Sequence, residues 1–209
     1  MTKIFDWKRT QIKESFVHTS VTELDGKPCL RVTKHEDKLN EYDENTYAKV
    51  AGIDFHNGTI EVTMLARLLP DAPVLARGFI GIAFRINGDD TAFESYYVRP
   101  TNGIRVTDDP VRQSHGTQYF SYPTYTFEYF RAHGITRYDS EADIALDEWI
   151  SLKAVIEGER AAFYVNDMEK PALVVDRLIH GADSHGGIGL FVDIGTEAFF
   201  RELKVTKAD

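Results

Sequence analysis

The chain is patterned in twos. Across residues 56–68, Ile60, Val62, Met64, Ala66 and Leu68 fall on one set of alternate positions, with Thr59, Glu61, Thr63, Leu65 and Arg67 on the other. Successive side chains of an extended strand point to opposite faces, so this is the pattern of a half-buried strand. Residues 79–86 repeat it, with Ile80, Ile82, Phe84 and Ile86 opposed to Phe79, Gly81, Ala83 and Arg85. The turn Asn87-Gly88-Asp89-Asp90 leads into a third strand at 92–99, since an Asn-Gly step readily takes the positive φ of a hairpin. Residues 149–157 and 160–166 flank Gly158 as another hairpin, and Asn166-Asp167 turns the chain toward 172–175. Segments 187–193 and 198–205 close the chain; near its start, 16–24 and 28–32 are joined by Asp25-Gly26-Lys27. At least nine short strands and no sustained 3.6-residue period predict an all-β fold, an antiparallel β-sandwich.

One stretch breaks the rhythm. Between residues 100 and 148 runs a long connection in which Tyr119, Phe120, Tyr122, Tyr125, Phe127, Tyr129 and Phe130 place seven aromatics in twelve positions. Disordered segments are poor in aromatics, so an ordered, aromatic-rich loop packed over the sandwich is expected. No repeat or linker divides the 209 residues, and residues 1–209 read as a single domain. A chain of this length buries roughly 70% of its unfolded surface, so its core needs neither disulfide nor metal.

Charge removes some functions. Lysine and arginine number 24 against 33 aspartates and glutamates, a net charge of −9, whereas a nucleic-acid binder needs surplus cations. The same sign disfavours anionic membrane surfaces. Cys29, the single cysteine, forms no internal disulfide and reads as a small buried hydrophobe; no Cys/His spacing resembles a zinc site, and the acidic run from His35 to Asn45 lacks the spacing of an EF-hand. No metal, no cofactor, no nucleic acid and no membrane partner are expected. The amino terminus has no apolar leader, which places the chain in the cytoplasm as written, or in a secreted or periplasmic setting if a leader has been removed.

The strands Gly58-Thr59-Ile60-Glu61-Val62, Gly78-Phe79-Ile80-Gly81-Ile82-Ala83-Phe84-Arg85 and Glu94-Ser95-Tyr96-Tyr97-Val98-Arg99-Pro100 resemble those of a concanavalin A-like, laminin-G-type jelly roll. Trp149-Ile150-Ser151-Leu152-Lys153, Gly187-Ile188-Gly189-Leu190-Phe191 and Phe200-Arg201-Glu202-Leu203-Lys204-Val205 are similar to its closing strands, and the layout over roughly residues 50–206 resembles the 3-keto-disaccharide-hydrolase-type domains. The resemblance implies a domain that binds or cleaves glycans, an analogy at the level of fold. Two departures qualify it. The paired carboxylates that laminarinase-type members carry on one strand are missing, and Arg201-Glu202 stands where calcium-binding relatives carry Asp or Asn.

In this fold one concave sheet presents its outer face to ligand. Alternation puts Gly81, Ala83 and Arg85 on that face, with Gly189, Phe191 and Asp193 beside them. The small residues would keep a groove open for a saccharide. On 94–99, either Glu94, Tyr96 and Val98 or Ser95, Tyr97 and Arg99 face outward; the second register is preferred, because the first buries Arg99 and the second brings it near Arg85. Two guanidinium forks there suit a carboxylate or an array of sugar hydroxyls, or pair with Glu61, Glu94 or Asp193 as a structural network. Glu94 among aromatics and His115 in the long loop are the candidates for proton transfer, and Tyr119 and Tyr122 for stacking on a sugar. Three readings stay open: a saccharide-binding module, a glycoside-hydrolase-like enzyme, and a structural or protein-interaction domain.

Overall fold

The computed structural model describes residues 1–208. The strands are β1 (Thr2–Ile4), β2 (Ile12–Ser15), β3 (Val17–Leu24), β4 (Lys27–Lys34), β5 (Tyr47–Phe55), β6 (Gly58–Leu68), β7 (Ile80–Ile86), β8 (Phe93–Val98), β9 (Thr117–Tyr122), β10 (Asp139–Ser140), β11 (Ile150–Glu157), β12 (Arg160–Val165), β13 (Leu173–Val175), β14 (Gly186–Val192) and β15 (Thr196–Lys207). Two short helices, α1 (Pro110–Ser114) and α2 (Phe127–Ala132), flank β9.

The strands form two antiparallel sheets. One runs β13-β12-β11-β6-β15-β4-β3, with β1 added to β15; the other runs β10-β9-β8-β7-β14-β5-β2. They pack face to face as a jelly roll, their apolar alternate positions meeting in one core that takes Ile60, Val62 and Met64 from the first sheet and Ile80, Ile82, Tyr96 and Leu190 from the second. The period-two segments are the strands expected, to within a residue or two at most ends.

The long connection corrects the expectation of a single loop. Thr117–Tyr122 is a strand inside the second sheet, between β8 and β10, and Tyr119 and Phe120 are fully buried. Both of its faces mix polar and aromatic residues, Thr117, Tyr119 and Ser121 on one and Gln118, Phe120 and Tyr122 on the other, and Thr117–Ser121 are all buried, so the alternation that marks a half-buried strand is missing. Strand β5 also went unread; Gly52 at φ 72° interrupts its alternation. Among the described residues no helix is long and apolar enough to cross a membrane.

Candidate functional site

The second sheet has an inner face toward the core and an outer face, and the antiparallel register sorts its residues between them. Gly81 pairs with Tyr97 and with Phe191, Ala83 with Ser95 and with Gly189, and Tyr97 with Gln118, so these share the outer face as expected. That face is not an open groove. Tyr47, Phe93, Tyr97, Phe120 and Phe191 fill its middle, their rings packed edge-on or tilted at centroid distances of 5.2–5.7 Å. Gly81 and Gly189 serve this filling: a Cβ on Gly81 would come within 2.8 Å of the Tyr97 Cβ, and one on Gly189 within 2.9 Å of the Tyr47 ring. The small residues make room for the protein's own rings and leave none for a ligand along the middle of the sheet.

An opening survives at one end of this face. A cleft of about 350 Å³ lies where β8 ends and β7 begins. Its floor is Tyr97, Arg99 and Asp193, and its walls come from four connections: Tyr42 and Asp43 before β5, Arg77 and Phe79 before β7, Arg112 and His115 after β8, and Phe127 at the start of α2. Hairpin geometry explains the meeting. The β7–β8 turn lies at the far end, so the residues entering β7 and leaving β8 share this end, and Thr101 N–H donates to the Arg77 carbonyl.

Guanidinium groups dominate the cleft. Arg99 is buried and held by its neighbours: Nη2 donates to the Tyr97 hydroxyl and to Gln118 Oε1, both at 2.8 Å, and Nη1 to the His115 carbonyl at 3.0 Å. Arg77 donates through Nη1 to the carbonyls of Val74 and Ala76, and Arg112 through Nε and Nη2 to Asn102 Oδ1 and the Thr101 carbonyl. Neither Arg77 nor Arg112 has a carboxylate partner among the described residues, so each keeps unspent donors. Burial and the like charges of Arg112 and Arg99 depress the affinity of Arg77 for its proton.

Three carboxylates line the same cleft, Glu128 at the start of α2 and the buried pair Asp43 and Asp193. Asp193 accepts from buried Lys34, from Asp43 N–H at 2.9 Å and from Ile194 N–H at 2.7 Å. Asp43 is 2% exposed, sits at φ 51°, and accepts the backbone N–H of Phe127, which ties the 35–46 segment to α2. Burial and the neighbouring Asp193 charge push its carboxyl up to about 7. Near neutral pH the cleft therefore carries more positive than negative charge, in a chain whose net charge is −9. His115 lines it too, with Nδ1 3.1 Å from Asp139 Oδ1, within ion-pair reach but off the axis of a hydrogen bond.

Of the residues expected at a site, Tyr97, Arg99, His115 and Asp193 come together here. Arg85, Glu94, Tyr119, Tyr122 and Phe191 do not. Arg85 was expected beside Arg99, but the register sets Ile80 against Val98 and Phe84 against Glu94, so the two arginines lie at opposite ends of the hairpin, on the order of 20 Å apart at ~3.3 Å per residue. Its side chain has also left the outer face. A bulge between β7 and β14 puts Arg85 at φ 52° and turns it inward, where Nε, Nη1 and Nη2 donate to the carbonyls of His56, Gly158 and Gly181 and to Asn57 Oδ1. Glu94 faces the core with it: the carboxylate accepts from the Tyr119 hydroxyl at 2.8 Å and His180 N–H at 3.0 Å, lies 3.8 Å from Arg85, and is wholly buried away from the cleft. Tyr119 is thus a core residue, Tyr122 stacks on Phe93 and donates to Glu44, and Phe191 is part of the aromatic filling.

Alternation does not single out Asp43, Arg77, Arg112 or Phe127 as site residues, because none sits on a period-two segment; Asp43 and Phe127 stand out only as members of the acidic and aromatic runs. The available signal was connectivity, since the turn at 87–90 already implies that whatever precedes β7 and follows β8 meets at one end.

No family model and no curated protein matches the chain. Solved structures do. It is similar to the carbohydrate-binding module CBM66 from Bacillus subtilis, at 14% identity and TM-score 0.58 over 92% of this chain and 97% of that one. A β-glucanase from Bacillus licheniformis is similar at 11% identity and TM-score 0.53, over 99% of this chain and 98% of that one. A Bacillus subtilis protein of unknown function with a galectin-like fold is similar at 12% identity and TM-score 0.52, over 96% and 90% respectively. At such identities the likeness is one of fold, and the fold is the concanavalin A-like jelly roll.

Proposed function

We propose that the chain is a saccharide-recognition domain whose ligand is an acidic sugar, held in the cleft at the end of the outer face and not along its middle. One observation carries this reading: the Arg77, Arg99 and Arg112 guanidinium groups crowd one cleft, and two of them have no carboxylate partner among the described residues. Like charges brought together at a partly dry site repel, and an anion between them relieves that repulsion. Guanidinium forks match a planar carboxylate, as on a uronic acid, in two parallel hydrogen bonds. Tyr42, Phe79 and Phe127 add aromatic surface for the C–H face of a sugar ring. The volume is at the small end of ligand sites and takes roughly one or two rings. The fold's likeness to a carbohydrate-binding module and a β-glucanase is consistent with such a ligand.

Isothermal titration with a uronate-terminated disaccharide and its neutral counterpart tests the proposal. The acidic sugar should bind and the neutral one should not, and Arg112→Ala should weaken binding by roughly 1.5–3 kcal/mol, about 10- to 150-fold. Equal binding of both sugars, or no loss in Arg112→Ala, overturns it.

His115 favours a second reading, in which the same cleft cleaves its ligand. A histidine beside a buried aspartate, on the wall of a cleft that would neutralise a carboxylate, is placed to take up a proton. Product released from an acidic oligosaccharide, and lost in His115→Ala with binding retained, would select this reading; binding without turnover selects the first.

A further inference from the structure

On the sheet opposite the cleft's own, two histidines and a glutamate converge. His18 is on β3, the edge strand, and pairs across the ladder with Thr33. His35 lies two residues beyond Thr33, so it is the diagonal neighbour of His18 on the same face, and its N–H donates to the Phe16 carbonyl. Glu36 follows in a single 3-10 turn over Glu36–Lys38. The imidazole centroids are 4.7 Å apart; Glu36 Oε2 lies 2.9 Å from His18 Nε2 and 3.7 Å from His35 Nε2. One ligand atom from each residue falls within 4.8 Å of the others.

We infer that His18, His35 and Glu36 form a binding site for a divalent transition metal, of which zinc is the fitting ion. Two imidazoles and one carboxylate are the donor set of a three-ligand zinc site that keeps a fourth position for water, whereas calcium and magnesium select oxygen ligands alone. In a tetrahedral site with bonds of ~2.0–2.1 Å the ligand atoms stand about 3.4 Å apart, so the present spacing closes on an ion with side-chain rotation alone. All three side chains reach solvent, which leaves the ion a path in.

The surroundings supply the next shell. Asp37 Oδ2 lies 3.5 Å from His35 Nδ1, which at present accepts a long 3.2 Å hydrogen bond from Asp37 N–H. Ligation through Nε2 displaces the ring proton there and leaves the neutral imidazole protonated at Nδ1, now donating to the Asp37 carboxylate; this is the partner that a ligating histidine commonly has. His18 likewise exchanges its hydrogen bond to Glu36 for a bond to the ion. No sequence spacing announces this site, because His18 and His35 meet only through the β3–β4 pairing. Its place gives it a consequence: the Glu36–Lys38 turn opens the segment that carries Tyr42 and Asp43 to the cleft, and the ion would pin that segment's start to the sheet edge.

The test uses the full chain without an affinity tag. Titration with zinc chloride at pH 7.5 should show one equivalent bound per chain, and cobalt(II) in its place should give the visible absorption bands of four-coordinate geometry. His18→Ala and His35→Ala should each abolish those bands, and Asp37→Asn should weaken affinity by about 10–100-fold. Zinc should raise the melting temperature of the wild type and leave that of His18→Ala unmoved. The inference is overturned if folded wild type takes up no zinc at ~100 μM, a concentration that half-fills a site of about −5.5 kcal/mol, or if both histidine variants, folded by circular dichroism, bind as the wild type does.

Discussion

The two ends of the β7–β8 hairpin hold arginines in opposite conditions. At the turn end, Arg85 is fully enclosed, and Nε and both Nη atoms donate, to three backbone carbonyls and Asn57, with Glu94 nearby. At the open end, Arg77 and Arg112 are half-buried and only part of each fork is used. The same side chain is a structural tie at one end and an unfilled recognition group at the other. Residue type does not decide this; the supply of backbone oxygen does. Where loops 56–58, 158 and 181 present carbonyls to a guanidinium, every nitrogen is engaged and shut away from a ligand, and where the walls are aromatic rings, donors remain open.

Substitutions at the two ends can break that contrast. Arg85→Met keeps the length of the side chain but strands buried Glu94 and several carbonyls, and should cost about 3–5 kcal/mol in chemical denaturation. If instead the variant is stable and has lost its ligand, the assignment of the two ends is reversed. The next effect is one of pH. Burial and Asp193 raise Asp43 to about 7 from an ordinary value near 4, so the folded state holds this proton more tightly than the unfolded chain does. Its contribution is complete below about pH 4 and is lost as the pH rises through about 7. Asp43→Asn, which stays neutral, should remove that slope. The gap in unfolding free energy between variant and wild type should swing by up to roughly 4 kcal/mol between pH 4 and 8, and a gap that stays level would place the charge of Asp43 elsewhere. Smallest is the stability cost of Arg112→Ala, under about 1 kcal/mol, because its bonds to Asn102 and Thr101 are made near water. A large loss there would make Arg112 a tie like Arg85.

The strands were legible because each half-buried one leaves its period in the residues, and the Asn87-Gly88 and Asp25-Gly26 turns mark where they reverse. The expected outer face of β8, with Tyr97 and Arg99, holds for the same reason. Its stated ground does not, since Arg99 is buried all the same, satisfied by Tyr97, Gln118 and the His115 carbonyl. Strand β9 was illegible because it is covered on both faces. Arg85 was misplaced because alternation holds only along an unbroken strand, and one bulged residue reverses it.

Composition and alternation by themselves determined that this chain makes two packed antiparallel sheets, because burying one face of each strand is a local demand written at every second position. Only the tertiary structure decided that the outer face is filled by the protein's own rings, that four separate connections build a cationic cleft at one end, and that His18 meets His35. Those outcomes depend on strand register and on which loops share an end of the sandwich, and such distances between segments remote in the chain leave no mark on local sequence.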